Sequence, residues 1–207
     1  MNPKHPAWFL LPILGIVAGV VFRPSEDIHL PLPEEMPVEP RLLVMPDGRA
    51  LRFLKGPAMD VFLSETEVPA SWIREIQSDP LTHSEAKDFI QTLSKLTKKP
   101  LRLPTVMEWR AAARAGVPSA QYPWGFGPLP PSKTIHFDRN DRPENPGSAL
   151  GYGFRDMAGG VWEWTEEGIL LGSAWSEVNP ETLRIDYEWN PPEGYRGSDV
   201  GIRLVWE

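Results

Sequence analysis

Residues 150–165 read LGYGFRDMAGGVWEWT, and residues 102–116 read RLPTVMEWRAAARAG. In the second stretch, Thr105 and Glu108 have the spacing of a capping box, in which hydroxyl and carboxylate satisfy each other's backbone N–H groups. The helix that starts there places Trp109 toward the protein interior, and Gly116 can end it. In the first stretch, aromatic and branched residues over 160–165 predict a short strand.

Outward from these stretches the chain gives further local signals. A second capping box at Thr82 and Glu85 opens a predicted helix that Pro100 stops. Apolar runs at 41–45 and 50–54 flank the turn sequence PDGR and predict a β-hairpin. Further elements are predicted as a short helix with Pro69 at its first position and strands at 59–63, 169–171 and 201–206.

Composition limits the classes of function. The chain has 207 residues, of which 41% are hydrophobic, with 24 Pro and 17 Gly, so we expect one loop-rich α+β domain. The net charge is -7 and no basic run is present, which argues against a nucleic-acid partner. The chain has no Cys, which excludes disulfides, thiolate metal sites and Cys nucleophiles.

The amino-terminal residues predict a membrane anchor. Residues 7–22 are uninterruptedly apolar, Lys4 precedes them, and acidic residues follow. We interpret residues 1–23 as a single transmembrane helix in a bacterial cytoplasmic membrane, with the amino end in the cytoplasm and the domain periplasmic or otherwise extracytoplasmic. A cleaved signal peptide is the alternative. Residues 24–40 are rich in Pro and acid and predict a stiff stalk, which leaves 41–207 as the domain.

Four segments in order resemble the formylglycine-generating enzyme (sulfatase-modifying factor) family. They are the two stretches quoted above, YPWG at 122–125 and GIRLV at 201–205, with Glu67-Val68 where the family has EVT. The resemblance implies a single α+β domain of C-type-lectin-like topology with little regular secondary structure.

The same resemblance argues against catalysis. Active members of the family oxidise a substrate cysteine with a pair of active-site cysteines that bind copper, located after a motif RGGSW. This chain has LGSAW at 171–175 and no Cys in residues 176–189. Copper(I) selects soft sulfur ligands, so we expect neither copper nor formylglycine formation.

The family also binds a structural calcium, and the resemblance carries that site onto Asp156, Gly159, Val161 and Glu163. Oxygen-only ligands suit calcium. Alternatively, the two carboxylates cap loops or pair with an arginine, either Arg155 or Arg203. A second family calcium site needs an Asn and an Asp around residues 134–141, where this chain is shortened.

Three other groups of residues suggest chemistry, and in each a structural role is favoured. Trp162, Trp164, Trp175 and Trp189 could form a carbohydrate platform, but the resemblance implies that the tryptophans of WEW are core. Asp138, Asp141 and Glu144 could act as acid and base, although no motif supports this and a solvated loop is favoured. The four His are scattered singly, without metal-ligand spacing.

The sequence therefore predicts a non-catalytic, membrane-anchored accessory or scaffolding subunit. Its partners would be the integral membrane subunits of a respiratory, photosynthetic or envelope complex. A lectin-like ligand-binding domain and an enzyme of unrecognised mechanism remain as alternatives. A deep cleft with convergent polar groups would favour ligand binding, and a cluster of perturbed titratable groups would favour an enzyme.

Overall fold

The computed structural model describes residues 38–77, 80–127 and 135–207. The predicted anchor at 1–23 and the stalk up to residue 37 lie outside these ranges. Within them, no helix combines the length and apolar character needed to cross a membrane.

The described ranges contain three α-helices and ten short strands, which together make a mixed α+β domain. The helices are α1 (Ala70–Ile76), α2 (His83–Thr97) and α3 (Val106–Arg114). The strands are β1 (Arg41–Val44), β2 (Ala50–Leu54), β3 (Phe62–Ser64), β4 (Leu101–Arg102), β5 (Ala149–Leu150), β6 (Phe154–Arg155), β7 (Trp162–Trp164), β8 (Leu170–Leu171), β9 (Val200–Ile202) and β10 (Val205–Trp206).

The main sheet has five antiparallel strands in the order β1-β2-β3-β10-β4. Strand β10 therefore lies between β3 and β4, and both of these strands come much earlier in the sequence. A second sheet has the order β8-β7-β9, in which β7 runs parallel to β9 and antiparallel to β8. Strands β5 and β6 form a separate pair.

Both predicted capping boxes are confirmed. Thr82 accepts the Glu85 backbone N–H at the start of α2, and Thr105 accepts that of Glu108 at the start of α3. The predicted hairpin is also confirmed, since β1 pairs with β2 across the PDGR turn. Pro69 occupies the N-cap position of α1 and not the first helical position, so the helix begins one residue later than predicted.

Two predicted strands differ from the structure. The strand expected at 59–63 is β3, which lies further along the chain. The strand expected at 201–206 is divided into β9 and β10, with Arg203 and Leu204 between them. Arg203, which lies between the two strands, has a fully buried guanidinium that donates to the Glu163 carboxylate and to backbone carbonyls.

The core is apolar and continuous with the second sheet. Trp162 on β7 and Phe89 on α2 are fully buried in one apolar cluster. Helix α3 packs with β3, β8 and β10 in a neighbouring cluster. The loop between β6 and β7, residues 156–161, contacts the segment that follows β3, because Val161 donates its backbone N–H to Glu67.

Candidate functional site

A buried ion pair lies at the centre of the site. Glu163 on β7 and Arg203 after β9 are both fully buried, and their side chains meet at 2.8 Å between Nη2 and Oε1. Trp109 on α3 donates its indole N–H to Glu163 Oε2 at 2.7 Å. Burial alone would lower the pKa of Arg203, but the neighbouring Glu163 carboxylate raises it above its ordinary value.

The Arg203 guanidinium has a partner in each direction. Its Nε and Nη2 donate to Glu163, Nη1 donates to the carbonyls of Ser64 and Glu65, and Nη2 also donates to the carbonyl of Arg155. A guanidinium carries five N–H donors in a fixed plane, so this arrangement uses them fully. The group ties two other segments of chain, at 64–65 and at 155, to β7. We call Glu163, Arg203 and Trp109 the saturated network.

Glu67 lies beside this network on the segment that joins β3 to α1. Its Oε1 accepts the backbone N–H of Val161 at 2.7 Å. A side chain at Gly160 would overlap Glu67, and Gly160 has a positive φ of 75°, so glycine lets the carboxylate approach the loop. Burial raises the pKa of Glu67 well above its ordinary range, and the nearby carboxylates of Asp156 and Glu163 add to the effect.

Asp156 is the second carboxylate beside Glu67. It is 5% exposed, and its Oδ2 accepts the backbone N–H of Gly147 at 2.7 Å. Its Oδ1 lies 3.3 Å from His136 Nδ1, yet neither atom has a hydrogen-bond partner despite burial. Buried polar atoms are nearly always paired, and these two atoms face each other at the distance of an ion pair.

Glu67, Asp156 and His136 line a cavity of about 390 Å³. Its mouth is formed by the start of α1 and by residues 142–146, with Pro69, Pro143 and Pro146 in the walls. Arg74 and Arg142 also line it, and each has interactions of its own. The volume is in the range of small-ligand sites, so this cavity, which we call the acidic pocket, is the candidate site.

The calcium set predicted from the sequence is only partly brought together. Asp156, Gly159 and Val161 lie on one loop, but both oxygens of Glu163 are taken by Arg203 and Trp109. In the described ranges, no group of three or more His, Asp or Glu side chains is arranged to hold a metal ion. Calcium prefers six to eight oxygen ligands, and in this arrangement the side chain of Glu163 is not available as one of them. Calcium binding stays a prediction.

The pairing offered as the alternative to calcium is present in part. Glu163 binds Arg203, as that interpretation proposed. Arg155, however, pairs with Glu65 at 3.0 Å and donates to the carbonyl of Gly147. Asp156 has no salt bridge to either arginine among the pairs formed in the described residues.

The tryptophans and acidic residues that were considered as a carbohydrate platform or an acid/base pair lie in the core or on an exposed loop, with Glu144 as the exception. Trp162 and Trp164 are 1% and 2% exposed in the core, as predicted. Trp189 packs against Trp162 with ring centroids 5.3 Å apart, so it belongs to the same aromatic cluster. The acidic residues Asp138 and Asp141 are exposed on a loop. Glu144 differs from them, because it lies at the rim of the acidic pocket.

Sequence reasoning missed Glu67 and His136 as members of the site. Glu67 was noted only as part of a motif, and His136 only as one of four scattered histidines. The available signal was the pair of glycines at 159 and 160, which permits close approach of another segment. Which segment approaches is set by the fold.

Comparison with known proteins identifies the domain. The family described as sulfatase-modifying factor enzyme 1-like domain (FGE-sulfatase) matches residues 49–207, which is most of the chain. The chain belongs to this family. Its resemblance to formylglycine-generating enzymes is thereby confirmed.

Relatives in the family carry two kinds of name. A formylglycine-generating enzyme of Thermomonospora curvata is 30% identical over 135 residues, covering 58% of this chain and 43% of the relative. An inactive C-alpha-formylglycine-generating enzyme 2 of Bos taurus is 30% identical over 148 residues, covering 59% and 47%. The chain thus spans less than half the length of these relatives.

Solved structures share the fold at low sequence identity. Treponema denticola variable protein 1 superposes with a TM-score of 0.66 at 15% identity, over 82% of this chain and 99% of that one. PvdO from Pseudomonas aeruginosa gives a TM-score of 0.53 at 17% identity, over 82% and 91%. These similarities support the predicted FGE-like α+β fold of the described domain.

Proposed function

We propose that this chain is a non-catalytic member of the formylglycine-generating enzyme family that acts by binding, as an accessory or scaffolding subunit anchored in a membrane. The absence of cysteine from the whole sequence carries the proposal. No other side chain supplies the thiolate on which the family's copper and thiol chemistry depends. A domain with this fold but without that chemistry can still bind other molecules through its surfaces and its pocket.

The family includes members whose names mark them as inactive, such as the relatives from Bos taurus and Mus musculus. Other relatives are named as enzymes, so membership alone does not decide activity. The loss of the cysteine pair places this chain with the inactive group in our proposal. The saturated network is fully hydrogen-bonded in this chain, which supports a folded domain in our proposal.

The partner is proposed from the amino-terminal sequence. Residues 7–22 would anchor the chain, and Gly15, Ala18 and Gly19 would place small residues on nearby turns of one helix. Small residues allow transmembrane helices to pack closely, which favours integral membrane subunits as partners. The domain would then act outside the cytoplasm, held at a fixed height by the Pro-rich segment.

A second candidate function is ligand binding without a partner subunit. The acidic pocket favours it, because it is a concave site with convergent polar groups and an orphaned carboxylate oxygen. The two functions differ in one observable. An accessory subunit co-purifies with defined membrane proteins, whereas a free receptor does not.

The experiment is native purification from membranes in mild detergent, followed by identification of the co-purifying chains. We expect a fixed set of integral membrane proteins at constant stoichiometry. The matched variant Gly15→Leu/Gly19→Leu keeps the segment apolar and removes the small residues, and it should lose that set while remaining in the membrane. Recovery of the full-length chain alone would overturn the accessory-subunit function.

Catalysis is tested separately with the purified chain, copper(I) and a cysteine-containing sulfatase peptide. We expect no conversion of the peptide cysteine to formylglycine. Copper-dependent turnover would overturn the non-catalytic assignment, and an active family enzyme assayed in parallel is the positive control.

A further inference from the structure

Basic side chains surround the point at which the polypeptide enters β1. The guanidinium of Arg41, the first residue of that strand, lies 3.9 Å from the ring centroid of Phe62 and 5.2 Å from that of Trp206. Lys99 Nζ lies 5.0 Å from the Trp206 centroid, and Lys55 Nζ lies 6.0 Å from that of Phe62. Cations at these distances are attracted by the face of an aromatic ring. The two rings therefore hold three positive charges close together.

The end of α2 enlarges this group of charges. Lys95 lies in the last turn of the helix and Lys98 is its C-cap residue, and both side chains are exposed. The negative end of the helix dipole favours lysines at these two positions. It does not account for Lys55, which follows β2. We call the whole group the basic patch, and its members are Arg41, Lys55, Lys95, Lys98 and Lys99.

The lysines of the basic patch have no carboxylate partner among the described residues. Lys87, further up the same helix, pairs with Glu166, whereas none of the four patch lysines forms a salt bridge there. The carboxylate of Glu207, which ends the described chain beside the patch, pairs with Arg102. Positive charge is thus concentrated and uncompensated on a chain whose net charge is -7. This charge is complementary to an acidic partner.

The chain itself brings acidic residues to the basic patch. Residues 24–37, which precede the described domain, contain four carboxylates and neither Lys nor Arg. Two of them, Glu34 and Glu35, come shortly before Arg41. An extended Pro-rich chain advances about 3 Å per residue, so Glu35, six positions before Arg41, has a reach of about 19 Å from the start of β1. The basic patch begins at that residue and continues to Lys99 through the shared Trp206 ring.

Two physical effects strengthen a contact between these charges. Exposed ion pairs are individually weak, but here both sets of charges belong to one chain and a short link separates them. Such a link gives the second group a high effective concentration at the first. In addition, the aromatic rings restrict Arg41 and Lys99 before any contact is made, which lowers the entropy lost when the contact forms.

We propose that the acidic Pro-rich segment at residues 24–37 docks on the basic patch of its own domain, with Glu34 and Glu35 beside Lys98 and Lys99. A stiff stalk fixes the height of a domain but leaves its orientation free at the joint. The docked segment makes the joint rigid as well, so the domain keeps one orientation on its stalk. The contact needs neither a membrane nor a partner subunit, and it does not rest on the proposed function.

The absence of cysteine makes a direct test possible. Met36→Cys introduces a single thiol beside Glu35, and a nitroxide attached there broadens the NMR signals of nearby nuclei. The measurement is the paramagnetic relaxation enhancement at the backbone amides of Lys55 and Trp206 in the full-length chain in detergent, with the reduced nitroxide as reference. We expect strong enhancement at both amides, and a clear decrease at about 0.5 M NaCl, because salt screens exposed charges.

Two charge removals within the same segment are compared. Glu34→Gln/Glu35→Gln keeps the size of both side chains and should lower the enhancement at Trp206 about twofold, as suits the loss of weak exposed pairs. Glu26→Gln/Asp27→Asn removes the same charge further from the patch. It should change the enhancement less than about 1.2-fold, because charges separated by more than a Debye length of about 10 Å are screened.

Charge reversal tests the pairing itself. Lys98→Glu/Lys99→Glu should lower the enhancement at Trp206 about twofold or more, since it replaces attraction by repulsion. Adding Glu34→Lys/Glu35→Lys should restore it, because a double-mutant cycle isolates the interaction between the two sets of residues. Lys98 and Lys99 are exposed, so the reversal should leave the fold intact, which the melting temperature checks.

The proposal would be overturned by enhancement that does not depend on salt, by equal effects of the two charge removals, or by a reversal that the compensating change fails to restore. A mixture of nitroxide-bearing chain and isotope-labelled chain supplies one further control. Enhancement in that mixture would assign the contact to a second copy and would also overturn docking within one chain. These outcomes are independent of the co-purification experiment, which measures neither charge nor distance.

Discussion

The saturated network and the acidic pocket each contain a buried carboxylate from one short stretch of chain, Glu163 on β7 and Asp156 in the loop before it, yet the two carboxylates have opposite properties. Glu163 meets a guanidinium and an indole N–H, and its two oxygens are fully used. Asp156, seven positions earlier in the sequence, has one oxygen used and one orphaned. Burial of carboxylates alone therefore does not distinguish structure from function. The count of satisfied hydrogen-bonding atoms does.

The largest expected effect comes from breaking the saturated network. Glu163→Ala leaves Arg203 buried without its counter-charge and should lower the free energy of unfolding by about 3–5 kcal/mol. Urea titration of the detergent-solubilised chain, followed by tryptophan fluorescence, measures it. The double variant Glu163→Leu/Arg203→Met removes both charges but leaves three carbonyls and the Trp109 N–H unpaired, so it should recover only part of the loss. A single-variant loss below about 1 kcal/mol, typical of an exposed pair, would contradict a structural role for the network.

A smaller effect is expected at the acidic pocket, where shape and charge can be separated. Glu67→Ala removes the acceptor of the Val161 N–H and should cost about 1–3 kcal/mol. Glu67→Gln keeps that acceptor and removes the ionisable group, so it should unfold within about 0.5 kcal/mol of the wild type. The same urea titration compares them. Equal losses in the two variants would show that the Glu67 charge stabilises the fold, as it does at Glu163.

The smallest effect is expected at His83, which belongs to neither carboxylate group. Its Nε2 lies 2.9 Å from the carbonyl of Thr165, and burial followed by the charge of Lys87 lowers its pKa from the ordinary 6.5. A lowered pKa means that the folded state favours neutral histidine. The resulting stability is present above pH 6.5 and is lost as the pH falls below it.

The variant His83→Gln should therefore reduce the loss of melting temperature between about pH 7.5 and pH 5.5. The measurement is the difference in melting temperature between the two conditions, compared with wild type. An unchanged difference would mean that the acid sensitivity comes from other groups.

Much of the fold could be predicted because its signals are local. The two capping boxes and the PDGR turn each involve residues within a few positions, and all three are present as expected. The division of the last strand around Arg203 and Leu204 has no local signal in the sequence, and the partners of Arg203 are distant in sequence. That residue contacts segments between 40 and 139 positions away in sequence.

The candidate site was harder to predict for the same reason. The sequence predicts Glu163 as a calcium ligand, whereas in the structure Arg203 binds both of its oxygens. Glu67 and Asp156 share a pocket only because the segment after β3 crosses the loop between β6 and β7. Sequence could name the glycines that allow this crossing. It could not name the carboxylate that fills the space.

The central place of β10 in the main sheet has a consequence for synthesis. Until residues 205 and 206 have been translated, β3 and β4 have no strand between them, and the sheet remains in two parts. Arg203 follows Glu163 by 40 residues, so Glu163 and Trp109 have no cation beside them until that stretch has been translated. The domain therefore closes in one late step. A ribosome that stalls even a few codons before residue 203 leaves a chain exposed to aggregation and proteolysis.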